Sequence, residues 1–303
     1  MAAILVVGSV ANDTVETPRE RRERQLGGSA SFFAIAALGK VPVRCVGVVG
    51  DDFRGADLEL LAARGADTAG IVREAGESFH WSGRYHLDMI ERDTLATELG
   101  VFADFRPEIP ADWATSEYLF LANIHPSLQL QVLRAMESPR LIALDTMNLW
   151  IETTRADLEQ VLARVDVLLV NDSEARLLTG ERSLARAAAA IAELGPRRII
   201  VKKGEHGALY FGPSGVFAVP ALILDDVVDP TGAGDCFAGG FMRSLALAGA
   251  DRDAGDAPFR AAMLDGTVTA SFCPEGFSVE GLLEVDDARY ADRRRALQAM
   301  MTP

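Results

Sequence analysis

Short apolar runs alternate with amphipathic stretches along most of this chain. Residues 3–8, 44–49, 118–121, 141–145, 167–170 and 199–202 are rich in Val, Ile and Leu and bounded by turn formers. Runs of that length with apolar residues at successive positions predict strands buried on both faces. Between them, residues 30–38, 55–63, 127–135, 155–163 and 183–194 carry amphipathic patterns that predict helices. Beyond about residue 230 the pattern predicts mostly helix, over 232–248, 257–272 and 286–300. Repeated strand–helix alternation predicts an α/β fold, a parallel sheet covered by helices on both faces.

Two segments break that rhythm. Residues 13–26 are polar and hold the run Thr17-Pro18-Arg19-Glu20-Arg21-Arg22-Glu23-Arg24. Such a charge run reads by itself as a solvated face. Residues 77–103 mix aromatic and charged residues, as in Phe79-His80-Trp81-Ser82-Gly83-Arg84-Tyr85-His86. Their alternating character suits antiparallel strands. Paired together, the two excursions would form a small lid over the carboxyl edge of the sheet, where ligands bind in open α/β folds. This division assigns residues 1–12, 27–72 and 104–303 to a core, and 13–26 and 73–103 to a discontinuous lid.

A chain of 303 residues can bury a large core, and 49% hydrophobic with 24% charged residues is a folded, soluble composition. The net charge of −14 disfavours a nucleic-acid partner. An anionic ligand would need a local positive feature. Cys45, Cys236 and Cys273 are widely spaced, which predicts reduced thiols in a cytoplasmic protein. The apolar start lacks the basic residues of a secretion signal, and no run of about 18 apolar residues predicts a membrane span.

The richest chemistry lies in Asp229-Pro230-Thr231-Gly232-Ala233-Gly234-Asp235. Residues 222–228 before it are apolar and predict a strand; Cys236-Phe237-Ala238-Gly239-Gly240-Phe241-Met242 after it opens a helix. A glycine turn ahead of a helix aims free N–H groups at one point, where the helix adds about half a positive charge. That is an anion site in an acidic chain. Asp235 beside it could bind a metal, remove a proton from an attacking hydroxyl, or cap the helix. The chain has no Walker-type Gly-x-x-x-x-Gly-Lys, no first-strand Gly-x-Gly-x-x-Gly and no Gly-x-Ser-x-Gly. A P-loop NTPase, a Rossmann dehydrogenase and a serine hydrolase are therefore disfavoured.

The string from Asp229 to Phe241 resembles the carboxy-terminal signature of the ribokinase-like (PfkB) carbohydrate kinases. Leu26-Gly27-Gly28-Ser29-Ala30, followed by Ala34, Ala37, Leu38-Gly39 and Val46-Gly47-Val48-Val49-Gly50-Asp51-Asp52-Phe53-Arg54-Gly55, resembles the family's first signature. The likeness runs from about residue 3 to about residue 282. It implies a three-layer α/β/α ribokinase-like fold with a mostly parallel central sheet and a small β-sheet lid. It also implies transfer of the γ-phosphate of ATP to a hydroxyl.

Asp235 matches the family's catalytic base, and Gly232, Ala233 and Gly234 match its anion hole. Asn171-Asp172-Ser173-Glu174 resembles the Asn-x-x-Glu motif, in which Glu174 would hold Mg2+ through water; the same spacing suits a helix capping box. Lys202-Lys203-Gly204-Glu205-His206-Gly207 is similar to the nucleotide-binding turn, with Lys202 where Thr is commoner. Lys202 would then meet ATP phosphates, with Gly204 and Gly207 shaping the turn. Residues 272–281 fall where the family closes over adenine. Asp229 and Thr231 match cation ligands in some members, which makes K+ a candidate beside ATP and Mg2+.

On the acceptor side, Asp13 matches a sugar-contacting carboxylate, and Gly27 and Gly28 match a site of close backbone approach. The family's sugar-binding Asn falls at Phe32 or Phe33, a departure that argues against plain ribose. Asp145-Thr146-Met147-Asn148 lies where many members have Asp-x-Asn-x-Arg, and Asn148 is the candidate acceptor contact there. No Arg stands at the matching place, which favours a neutral polyol or nucleoside. Phe79, His80, Trp81 and Tyr85 either stack on a ring or pack the lid. His86, His125 and His206 show no ligand spacing.

The sequence thus predicts an ATP-dependent kinase for a small hydroxylated carbohydrate or polyol. A nucleoside kinase of the same fold is the first alternative, and a non-catalytic sugar or nucleotide sensor the second. The expected partners are a small-molecule substrate and a second copy docked through the lid, with no nucleic acid and no membrane.

Overall fold

A computed structural model describes residues 2–302. Met1 and Pro303, the outermost residues of the core ranges, lie outside them. The strands are β1 (Ile4–Val7), β2 (Ala11–Glu16), β3 (Arg21–Gly27), β4 (Val43–Val49), β5 (Ala66–Arg73), β6 (His80–Tyr85), β7 (Arg92–Glu98), β8 (Tyr118–Leu121), β9 (Leu141–Asp145), β10 (Val167–Asn171), β11 (Arg198–Lys202), β12 (Ala208–Gly212) and β13 (Gly215–Val219). The helices are α1 (Ser29–Ala36), α2 (Gly55–Ala63), α3 (Pro126–Ala135), α4 (Asn148–Thr153), α5 (Arg155–Leu162), α6 (Asp172–Thr179), α7 (Leu184–Ala192), α8 (Ala233–Ala248), α9 (Asp256–Ala270), α10 (Glu280–Leu283) and α11 (Asp287–Met300).

Among the described residues, nine strands form one sheet in the order β13-β12-β11-β10-β9-β8-β1-β4-β5. From β11 through β5 every pairing is parallel, and β12 and β13 add an antiparallel hairpin at one edge. Alternation along each strand builds two cores. Ile4, Val6, Tyr118 and Phe120 point into one, with α1, α8 and α9. Leu5, Val7, Leu119 and Leu121 point into the other, with α3, α5, α6 and α7. This is the expected three-layer α/β/α fold, and the period of two along each strand is what separates its layers.

The strands and helices expected within the core recur with ends displaced by one or two residues. Edge elements were less visible. β5 and β13 are largely exposed, so they lack the continuous apolar run of a central strand. The strand expected over residues 222–228 does not form. The chain leaves the sheet at Pro220, and Leu222-Ile223-Leu224 pair with no strand. Ile223 is 84% exposed, and the loop is instead fastened by Val228 N–H donating to the Pro274 carbonyl at 2.7 Å.

The two segments that break the sequence rhythm carry a second sheet, in the order β3-β2-β6-β7. Its hinge end is gathered by one carboxylate. Asp52 Oδ1 accepts from the N–H and Oγ of Ser78, each at 2.7 Å, and Oδ2 accepts from Asn12 at 3.2 Å and Arg24 at 2.7 Å. Burial opposes its charge, but the Ser78 and Arg24 bonds hold this carboxyl below its ordinary value. At the far end Val15, Tyr85 and Phe277 form a small core between lid and main body.

Candidate active site

Three parallel strands end side by side in polar residues. Asp145 closes β9, Asn171 closes β10 and Lys202 closes β11. Lys202 Nζ donates to Asp145 Oδ2 at 2.7 Å. Lys202 also lies under the glycine turn, since a Cβ on Gly234 would sit 3.1 Å from Nζ. Asn171 and Glu174 form a complete capping box on α6, with Asn171 Oδ1 accepting from Glu174 N–H at 2.7 Å and Glu174 Oε2 from Asn171 N–H at 2.8 Å.

The turn before α8 is fixed from both sides. Gly232 has φ +80°, and a Cβ there would fall 2.5 Å from the Phe32 ring. Only glycine meets both conditions. Ala233 N–H donates back to the Pro230 carbonyl at 3.2 Å, which changes the expected anion hole. Among the described residues, the N–H groups of Gly232, Gly234 and Asp235 have no acceptor. These donors sit at the positive end of a 16-residue helix, beside the Asp235 carboxyl.

Charge is crowded here. Burial and the neighbouring Asp145 push the Asp235 carboxyl up to about 8, against the opposing pull of Lys202 and Arg92. Burial and Asp145 likewise push Glu174 up to about 7. Burial works against the Lys202 charge, yet Asp145 and Glu174 hold its ammonium above the ordinary value. Asp145 and Lys202 are therefore within electrostatic reach of both Asp235 and Glu174.

The lid brings Asp13 to the same place. A Cβ on Gly27 would lie 2.1 Å from its carboxyl carbon, so Gly27 is the gap into which Asp13 fits. Burial and Asp229 push the Asp13 carboxyl up to about 7, while a bond from Gly28 N–H opposes the shift. Gly28 has φ +93° and starts α1, whose Ser29 exchanges hydrogen bonds with Ser9. Asp229 accepts Thr231 N–H on one oxygen and Ser278 N–H on the other. Tyr85 reaches across from the lid, its hydroxyl 3.1 Å from Thr231 Oγ1.

Other candidates add no charged group to this cluster. Phe32 is buried as the floor of the Gly232 turn, and Phe33 stacks on Phe120 in the core. Asn148 is exposed at the start of α4; the neighbouring hydrogen bonds belong to Asn123, which accepts from Trp150 Nε1 at 2.8 Å and donates to Met147 Sδ. Gly204 and Gly207 both take positive φ in the turn between β11 and β12. Phe79 packs on Phe102, and His80 bridges Thr14 and Glu98, so these two serve the lid itself.

The sequence profile of the pfkB family carbohydrate kinases matches residues 1–273. The chain belongs to the PfkB family. A cytidine kinase from Thermococcus kodakarensis is 30% identical over 248 residues, covering 80% of this chain and 88% of that one. A 2-dehydro-3-deoxygluconokinase from Thermoproteus tenax is 31% identical over 248 residues, covering 76% and 75%. Among solved structures, an E. coli protein described as ribokinase II, in complex with ATP and Mg2+, superposes with a TM-score of 0.78 at 20% identity, covering 97% of this chain and 100% of that one.

As a PfkB kinase, the chain is a phosphotransferase with an alcohol group as acceptor; the E. coli neighbour is the protein described with ATP and Mg2+. The residues of this chain suit the metal in a limited way. Among the described residues, no group of three His, Cys, Asp or Glu side chains closes on one point. Mg2+ rarely has an all-protein cage, and phosphate and water oxygens supply most of its ligands. Glu174, crowded by Asp145 and with one oxygen engaged in the capping box, suits an outer contact through water.

Three contributors escaped sequence reading. Asp145 was hidden because the motif around it has altered spacing. Asp52 looked like part of a glycine-rich turn. Arg92 sits in a charged lid stretch, and only strand pairing shows which way it faces. For Asp145 a signal existed: it is the last residue of a buried strand, as Lys202 is.

Proposed function

We propose that this protein transfers the γ-phosphate of ATP to a hydroxyl of a small carbohydrate-like or nucleoside acceptor, with Asp235 as the base. The observation that carries the reading is the Asp235 carboxyl beside the unpaired N–H groups of Gly232, Gly234 and Asp235. The acceptor hydroxyl gives its proton to Asp235. Its oxygen bonds to the γ-phosphorus, and the bond from that phosphorus to the β-bridging oxygen breaks, releasing ADP. Charge that builds on the γ-phosphate oxygens is met by the free N–H groups and by Lys202. Bound Mg2+ neutralises phosphate charge, and Asn171 and Glu174 are the residues that would hold its water. The lid over the site keeps bulk water from competing with the acceptor.

An intact base and donor set argue against a non-catalytic sensor. The test is Asp235→Asn, assayed on a panel of sugars, polyols and nucleosides with ATP–Mg2+. Loss of about 10² to 10⁴ in kcat with ATP affinity preserved supports the reading. Turnover within tenfold of the native protein would refute it.

Finer parts follow from the same reading. Each Asp229 oxygen holds one N–H and retains a lone pair, so K+ could share it; activity measured in KCl against tetramethylammonium chloride decides this. Leu87, Ile90 and Leu95 are 90%, 58% and 48% exposed on the tip and open edge strand of the lid, which supports a homodimer there. The described helices include none long and apolar enough to cross a membrane. Three buried free cysteines suit a reducing cytoplasm.

A further inference from the structure

The inner face of the lid carries a cation that the kinase reading leaves without a task. Strand register sets that face. Asp13 pairs with Trp81, and Val15 pairs with Gly83, across β2 and β6. Tyr85 pairs with Arg92 across β6 and β7. Because Tyr85 touches Thr231 of the catalytic turn, residues 13, 81, 83, 85 and 92 all look toward the main body.

Arg92 stays in reach of the Tyr85 hydroxyl and also leans back along the strand. Its guanidinium carbon lies 5.4 Å from the centroid of the Trp81 ring, four residues back along the strand. Trp81 in turn lies across Gly83, where a Cβ would come 2.1 Å from the ring. Gly83 therefore lets the indole lie along the sheet, and the guanidinium rests over it. Cation–π contact uses the face of a guanidinium, so that beyond the contact with Tyr85 in-plane N–H donors remain for a ligand. Among the described residues, Arg92 has no carboxylate within ion-pair distance, although its charge is felt at Asp13, Glu174, Asp229 and Asp235. The other cation of the site, Lys202, is already paired with Asp145.

Five carboxyls border this site: Asp13, Asp145, Glu174, Asp229 and Asp235. A neutral acceptor needs no free arginine among them. An acceptor with its own negative group does, and a planar guanidinium fork fits carboxylate or phosphate oxygens two at a time. We propose that Arg92, laid over Trp81, is the specificity-determining residue for an acceptor bearing an anionic group, while Asp13 holds one of that acceptor's hydroxyls. The cation absent from the Asp145–Trp150 stretch is thereby supplied from the lid, and the preference for a neutral acceptor is reversed. This inference rests on the kinase reading.

The test compares kcat/KM for a pentose monophosphate and a sugar acid against the matching neutral sugars and cytidine. It uses the native protein, Arg92→Gln and Arg92→Lys. The native protein should favour an anionic acceptor, and Arg92→Gln should lower kcat/KM on that acceptor roughly 10- to 150-fold, the usual effect of a lost charged hydrogen bond. Read on the plateau above the acid limb, where Asp235 is deprotonated in each variant, neutral acceptors should change less than about threefold, and Arg92→Lys should recover part of the loss. Whether the phosphate or the carboxylate acceptor responds identifies the anion. A native preference for neutral acceptors, or equal losses on both classes, overturns the role of Arg92 and leaves the kinase intact. No turnover on any acceptor overturns both.

Discussion

Lys202 Nζ lies 2.7 Å from Asp145 Oδ2 and directly beneath the turn that ends in Asp235. One cation thus restrains the titration of the proposed base while facing the place of phosphate transfer. The base acts deprotonated, and its carboxyl is pushed up to about 8, so activity should grow as pH rises through that region. The profile of kcat/KM reports the free enzyme. An acid limb centred near pH 8 is expected, and Lys202→Met should move it to higher pH and lower the plateau. An unmoved limb in that variant would break the link between Lys202 and Asp235.

The same shift affects stability. A carboxyl raised in the folded state contributes stability that is complete below its ordinary 3.8 and lost as pH rises through about 8. Asp235→Asn removes that loss. Its melting temperature should match the native protein near pH 4 and exceed it at pH 8 to 9, by about 2–4 °C for each kcal/mol recovered. Calorimetry across that range is the check, and an equal offset at every pH would point to a packing effect instead.

Gly232 and Phe32 should be coupled. Gly232→Ala meets both a left-handed backbone, costing about 1–2 kcal/mol, and the Phe32 ring. The Gly232→Ala, Phe32→Leu double variant should recover the steric part and retain the backbone part. A denaturation double-mutant cycle with no interaction energy would show that the ring is not what the new methyl meets.

Asp52 should govern lid order without governing the main body. Asp52→Ala removes the acceptor shared by Asn12, Arg24 and Ser78. Amide exchange should quicken in β2, β3 and β6 and stay unchanged in β8 to β11. KM for the acceptor should rise more than KM for ATP. Uniform acceleration through both sheets would mean that the lid is not a separate cooperative unit.

What the sequence made legible was set by burial. Central strands such as 118–121 and 167–171 are buried along nearly their whole length, and their apolar runs announce them. The hairpin of β12 and β13 and the edge strand β5 face water on one side, so their patterns were diluted. Asp235, Gly232 and Glu174 were legible because the chemistry depends on local spacing. Arg92 and Asp145 were not, because their placement depends on strand register and on the ends of distant strands. The Ala233 N–H could not be assigned from sequence at all, since its bond to Pro230 is a property of the folded turn.

Asp52 also bears on how such a protein can change. Its bonds reach both chain excursions that build the lid, yet none of its partners is among the residues 13, 81, 83, 85 and 92 proposed to face the acceptor. Trp81, Gly83 and Arg92 can therefore be exchanged for other residues while the attachment stays constant. A joint of this kind separates inheritance of the phosphoryl-transfer machinery from inheritance of acceptor choice. Transplanting residues 80–98 between relatives, with Asp52, Asn12, Arg24 and Ser78 left in place, is the form of engineering this architecture invites.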